Sequence, residues 1–110
     1  MNQTEVEALQ LEAASTSQAL VQRSLPFLQG VRRLASLRFQ LQGEQDNSDF
    51  LLLAGVASEA DHIPEDSARS LCSPSWLAQC DQEVKELVAH YEDPVLAACA
   101  SIIARYRRAA

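Results

Sequence analysis

Glycine and proline are scarce in this sequence, at 3 and 4 of 110 residues. A many-turned β sandwich draws on both, so that architecture is disfavoured. So few glycines also leave no glycine-rich loop to cradle a phosphate. Cysteine is scarce as well: Cys72, Cys80 and Cys99 are an odd count, spaced 8 and 19 residues apart. That pattern is neither a disulfide framework nor the paired C-x-x-C spacing of a zinc site. Reduced thiols in a cytoplasm are the simplest account, and a cytoplasmic location is expected. Long apolar runs are missing: the longest, Phe50 to Ala57, has eight residues, whereas a bilayer span needs about 20. The N-terminus, Met1-Asn2-Gln3-Thr4-Glu5, has neither the basic nor the apolar region of a secretory signal. Positive charge is in deficit, with 9 Lys and Arg against 15 Asp and Glu, a net of −6. It is lowest in the middle, where residues 44–93 hold twelve acids against Arg69 and Lys85. Such a body repels a phosphate backbone, so direct nucleic-acid binding is disfavoured.

What remains is rich in strong helix formers, with seventeen Ala and fifteen Leu. The apolar share, 47%, is too high for a disordered chain. A single domain over residues 1–110 is expected: an all-α bundle of four to five helices, dimeric because so short a chain buries its own surface poorly. Thr4 with Glu7 reads as a capping box, starting a first helix near Glu5. Its apolar stripe is thin, so residues 1–23 are expected as a loosely packed helix or arm. Ser24 with Pro26 reads as the start of a second helix that runs to about Gln42 and stops at Gly43. Its apolar residues cover about 200° at 100° per residue, far beyond a surface stripe. Such a helix is either central to its own bundle or shared with another chain. Asn47 or Ser48 caps a third helix, from about Asp49 to His62. Residues 64–72 read as a loop or one irregular turn. Ser73-Pro74 opens the clearest helix, where Trp76, Leu77, Cys80, Val84, Leu87, Val88 and Tyr91 share one face. Asp93-Pro94 repeats the cap-and-proline signal and predicts a separate fifth helix, ending in Arg105, Arg107 and Arg108. The predicted core is Trp76, Leu77, Cys80, Leu87, Leu96, Cys99 and Ile103.

No constellation carries chemistry. Glu59 and His62 have the i, i+3 spacing of di-iron bundles, but those sites need two such pairs and further glutamates. Glu86 and His90 lie on a polar helix face. Cys80 and Cys99 sit on apolar faces and read as small hydrophobes, while Cys72 lies in the expected loop. With no nucleophile elbow, phosphate loop or metal spacing, no enzyme activity and no cofactor are expected. The functional lead is apolar surface left over after one small bundle closes. On that ground Phe27, Val31, Leu34, Arg38 and Leu41 on helix two, with Phe50 and Leu51, are the expected dimer or partner surface. Arg38 falls near the centre of the wide arc, as a snorkelling side chain or as a contact to a partner acid. The alanines at 97, 100 and 104 form a second smooth face.

The segments Leu34-Ala35-Ser36-Leu37-Arg38-Phe39-Gln40-Leu41 and Ser73-Pro74-Ser75-Trp76, with the length, acidic balance and helical pattern, resemble the QslA-type quorum-sensing antiactivators. The resemblance implies an all-helical dimer that binds the ligand-binding domain of a LasR-type transcriptional activator. It would block the activator's dimerisation and DNA binding without turnover. Small acidic helical chains also serve as type III secretion chaperones that mask an export substrate. The start Ser73-Pro74-Ser75-Trp76-Leu77-Ala78 looks like one helical-hairpin group of these, although that group's repeat pattern is absent from residues 1–60.

Overall fold

The computed structural model describes residues 2–41 and 43–106. A short polar side chain with a glutamate three places on opens the first helix. The Oδ1 of Asn2 accepts from the Glu5 N–H at 2.8 Å, and the Glu5 carboxylate accepts from the Asn2 N–H at 3.4 Å. α1 then runs Gln3–Val21. The box expected at Thr4 and Glu7 is displaced by two residues, because asparagine caps at least as well as threonine. The end of α1 is a Schellman turn. Arg23 takes φ 58°, its N–H bonds the Leu20 carbonyl, and the Ser24 N–H bonds the Ala19 carbonyl. Ser24 therefore closes α1 and does not cap the second helix. The left-handed arginine costs about 1 kcal/mol. It is held by a paired contact with Glu92, both nitrogens at 3.2 Å.

α2 spans Phe27–Leu37 and opens on Pro26 without a side-chain cap. It stops about one turn short of its expected end. Residues 38–41 turn away, Gly43 sits at φ 82°, and Gln42 lies outside the described residues. α3 spans Ser48–Glu59, and Asn47 caps it by accepting from the Asp49 N–H at 2.9 Å. Arg32 of α2 donates to the carbonyls of Ala60 and Ile63, both at 2.7 Å. Those bonds tie α2 to the backbone that follows α3. A 3₁₀ helix covers Asp66–Leu71 where a loop or irregular turn is predicted. α4 spans Pro74–Tyr106, and Ser73 Oγ accepts from the Trp76 N–H at 3.2 Å.

The predicted break at Asp93-Pro94 does not occur: Pro94 stands inside α4. An interior proline removes one hydrogen bond and costs about 3 kcal/mol. Packing on both sides of it offsets that cost. Just before it, Glu92 pairs with Arg23 in the turn that ends α1; just after it, Val95, Ala98, Cys99 and Ile102 are buried. Arg105 then bonds Asp49 of α3 at 3.1 Å and Glu44 at 3.1 Å, fixing the far end. Arg107 and Arg108 lie outside the described residues.

The helices pack as a closed ring, α1 on α2, α2 on α3, α3 on α4 and α4 on α1. Among the described residues there is no strand, so the fold is an all-α helical bundle of four α-helices and one 3₁₀ helix. α1 is packed through its second half, with Ala13, Ser17 and Leu20 buried, and is not a loose arm. α2 turns its wide apolar arc to α1, to α3 and to the core between the helices. Val31, Leu34, Leu37 and Leu41 join Phe50, Leu53 and Val56 of α3 and Val95, Cys99 and Ile102 of α4 in one core. Gly30 lets α1 and α2 approach closely: a Cβ there would meet Leu20 Cγ at 2.6 Å. Inside the core the Ser17 hydroxyl has no hydrogen-bond partner among the described residues. Burial pushes the Cys99 thiol up to about 11.

Gly30→Ala should therefore destabilise by about 1–3 kcal/mol through overpacking, despite alanine's better helix propensity. In a Leu20→Ala background the same change should cost far less, and urea unfolding of the four proteins measures the coupling. Stability should also fall at alkaline pH. The unfolded Cys99 thiol ionises near its ordinary 9 while the folded one stays neutral to about 11, so the unfolded state sheds its proton first. That contribution is fully present below pH 9 and is lost as pH rises towards 11. Denaturation followed across this window in wild type and Cys99→Ala should show the shallower slope in the variant.

Candidate interaction surface

The first half of α4 carries a one-sided apolar stripe, yet the fold covers only part of it. Between residues 74 and 94, Cys80 is the one fully buried side chain. Leu28 of α2 with Ala60 and Ile63 forms a small second core around it, against which Val84 and Leu87 pack partly exposed. Leu77, Val88 and Tyr91 are half-buried. Trp76 is 36% exposed, and Leu71, at the end of the 3₁₀ helix, is 87% exposed. The cause is helix length. α1 runs antiparallel to α4 and ends beside the Arg23–Glu92 pair, and no residue of α1 joins the second core around Cys80. The predicted core is corrected accordingly. Cys80 and Cys99 are buried, whereas Trp76 is exposed and Leu77, Leu87, Leu96 and Ile103 are partly covered. In the second half of α4 the buried positions are Val95, Ala98, Cys99 and Ile102, so Cys99 keeps its predicted core place while Leu96 and Ile103 do not.

Two concavities flank this half-covered stripe. On one side a groove of about 1010 Å³ lies between the start of α2, the 3₁₀ helix and α4. Its apolar wall is Leu25, Pro26, Phe27, Leu28 and Val84, and its charged rim is Arg32, Arg33, Arg69, Lys85, Glu65, Asp66 and Asp81. One ion pair closes within this rim. Arg69 bonds both carboxylate oxygens of Asp81, at 2.9 and 3.1 Å, and holds that carboxyl below the usual range. Arg33 pairs with Glu12 at 2.6 Å. On the other side a shallow cleft of about 530 Å³ gathers Glu59, His62, Glu83, Glu86, His90 and Tyr91. His62 contacts Glu83, and its ring lies 6.2 Å from that of Trp76. The Glu59 carboxylate pushes the Tyr91 hydroxyl above its ordinary value, with burial adding to the effect. The two Glu/His pairs noted in the sequence thus share one cleft, but no group of three metal-ligating side chains converges among the described residues. The Cys80 thiol is pushed up chiefly by burial, which makes it a packing group. Cys72 is half-buried and donates to the Ala68 carbonyl at 3.5 Å.

The expected surface on helix two is overturned. Val31, Leu34, Leu41 and Phe50 are brought together, but inside the core, because α1 and α3 cover both flanks of α2. Arg38 serves the α2–α3 connection, donating to the Gln45 carbonyl at 2.9 Å and lying 4.6 Å from the centre of the Phe39 ring. Phe27 is half-buried at the rim of the large groove. Of the seven, Leu51 alone is well exposed, at 44%, on the outer side of α3. The alanine face is exposed as expected: Ala97, Ala100 and Ala104 lie open, flanked by half-buried Leu96 and Ile103. By length and composition α4 is apolar enough to cross a membrane, and 22% of its most apolar 18-residue window is buried. No protein-family model matches the chain, and no curated protein or solved structure is significantly similar to it.

The sequence displayed the stripe of α4 as a stripe. What it could not display was that α1 stops before reaching it. Trp76→Ala should accordingly cost no more than about 1 kcal/mol of folding stability, whereas Phe50→Ala, in the filled core, should cost about 3–5 kcal/mol. Urea unfolding of both variants separates a half-covered site from a core site.

Proposed function

We propose that this chain is a non-enzymatic protein-binding regulator, and that a partner protein covers the apolar stripe on the first half of α4. The observation that carries the reading is the incomplete cover of that stripe, from Trp76 to Tyr91, beside a groove large enough for a partner segment. A one-sided apolar helix set in a groove is a recurring mode of protein recognition. Contiguous apolar surface on a small domain usually marks such a site. The chain-wide resemblance to the QslA-type antiactivators supplies the partner class: a LasR-type quorum-sensing activator, bound through its ligand-binding domain and kept from dimerising on DNA. The acidic middle of the chain is consistent with this division of labour, since it repels DNA while leaving a protein surface accessible. Inhibition of this kind is stoichiometric and needs neither cofactor nor catalytic group.

The test is capture from the native organism followed by an operator mobility-shift assay. A DNA-binding activator should co-purify, and the wild-type chain should abolish its shift at near-equimolar ratio. Trp76→Glu combined with Val84→Asp should weaken that inhibition at least tenfold while the chain stays folded, because both charges enter the buried contact. Capture of an unfolded or filament-forming export substrate, with no effect on any activator, would instead assign the chain to the secretion chaperones.

A further inference from the structure

The groove beside α4 carries a net positive charge in an acidic chain. Four of the nine cations, Arg32, Arg33, Arg69 and Lys85, line it, against three of the fifteen acids. Between residues 44 and 93, Arg69 and Lys85 are the only cations among twelve acids, and both line this one groove. Two of the four are engaged within the fold: Arg69 with Asp81 and Arg33 with Glu12. The other two have no ion-pair partner among the described residues. Lys85 is exposed, and Asp81, one turn before it, already bonds Arg69 through both oxygens. Arg32 is half-buried, and its bonds to the Ala60 and Ile63 carbonyls both come from Nη2. A guanidinium has five N–H donors, so those on Nη1 and Nε remain for another acceptor. The fold already holds this side chain in place. Such a fixed cation takes a carboxylate with little further loss of freedom.

We infer that the groove receives an acidic amphipathic helix of the partner protein, with its apolar residues on Phe27, Leu28 and Val84 and a carboxylate on Arg32 and Lys85. Charge complementarity sets the sign of the occupant. A carboxylate answers two unpaired cations, whereas a base would add a like charge beside them. Size favours a segment over a metabolite. At about 1010 Å³ the groove reaches the top of the ~300–1,000 Å³ range of small-ligand pockets. A helix fits better than a strand, because the described residues include no strand whose edge a peptide could extend. Nucleic acid is disfavoured, since Glu65, Asp66 and Asp81 on the same rim oppose a continuous phosphate backbone. The inference rests on the reading of the chain as a protein-binding regulator. It adds the chemistry that the partner presents: apolar along the stripe, acidic at the groove.

A displayed library of amphipathic helices, with leucines fixed on one face and the other positions randomised, tests it. Peptides selected on the full wild-type chain should be enriched in Asp or Glu at a position beside the leucines. In fluorescence anisotropy the selected peptide should bind roughly tenfold more tightly than its analogue with glutamine for that acid. Lys85→Glu, exposed and outside the core, should keep the helical spectrum and melting profile and erase the preference. Selection of peptides without an acid, or an acid preference that survives Lys85→Glu, overturns the inference. So does tighter binding of octanoate or of a single-stranded oligonucleotide, which would give the groove to a small carboxylate or to nucleic acid. Operator assays with the Lys85→Glu chain keep the two readings apart. A variant that inhibits the activator as well as wild type overturns the groove assignment alone. A wild-type chain that takes acidic peptides in the groove yet inhibits no activator overturns the functional reading alone.

Discussion

α4 is about 50 Å long and α1 about 28 Å, at 1.5 Å per residue. One cannot cover the other, and much of the molecule follows from where they are fastened. The fastening is the Arg23–Glu92 pair, at the turn where α1 ends. Beyond it towards Tyr106, α4 has α1 on one flank and α3 on another, and its inner face is filled. Before it, α4 packs around Leu28, Ala60 and Ile63 and is tied to the 3₁₀ helix by Arg69–Asp81 and to the chain after α3 by His62–Glu83. The molecule is accordingly elongated, 47 Å in its longest dimension against 27 and 25 Å in the others. A continuous helix thus joins a well-packed end to a half-covered one.

That division explains which features were legible in the sequence. Asn47 and Ser73 were readable as caps because their side chains act on amides two or three residues away, a strictly local event. The all-helical class followed from composition and periodicity, which are also local. Ser24 was misread because the decisive residue is Arg23. A left-handed arginine has no sequence signature, and a tertiary ion pair holds it there. Pro94 carried the same local signal as Pro74, but a helix that is packed on both sides of a proline continues through it. The wide arc of α2 was visible, yet periodicity does not say whether a neighbour is another helix of the chain or another chain. It proved to be α1 and α3, which removed Val31, Leu34, Leu41 and Phe50 from the candidate surface. The half-covered stripe of α4 was legible as apolar and illegible as exposed, since exposure depends on the length of a helix fifty residues away.

On the proposed reading, the first half of α4 meets the partner. It has bulky, partly exposed side chains and a flanking groove with a charged rim. That task draws on apolar area that 110 residues leave uncovered.

The central claim is that one continuous helix is anchored at one end and half-covered at the other. Residue-resolved hydrogen exchange of the free chain tests it most directly, because exchange reports local opening free energy. Amides around Val95–Ile102 should exchange only through global unfolding, and those around Leu77–Val88 at least about 100-fold faster, as a helix half held by the fold would do. Equal protection along the whole of α4 would contradict the account.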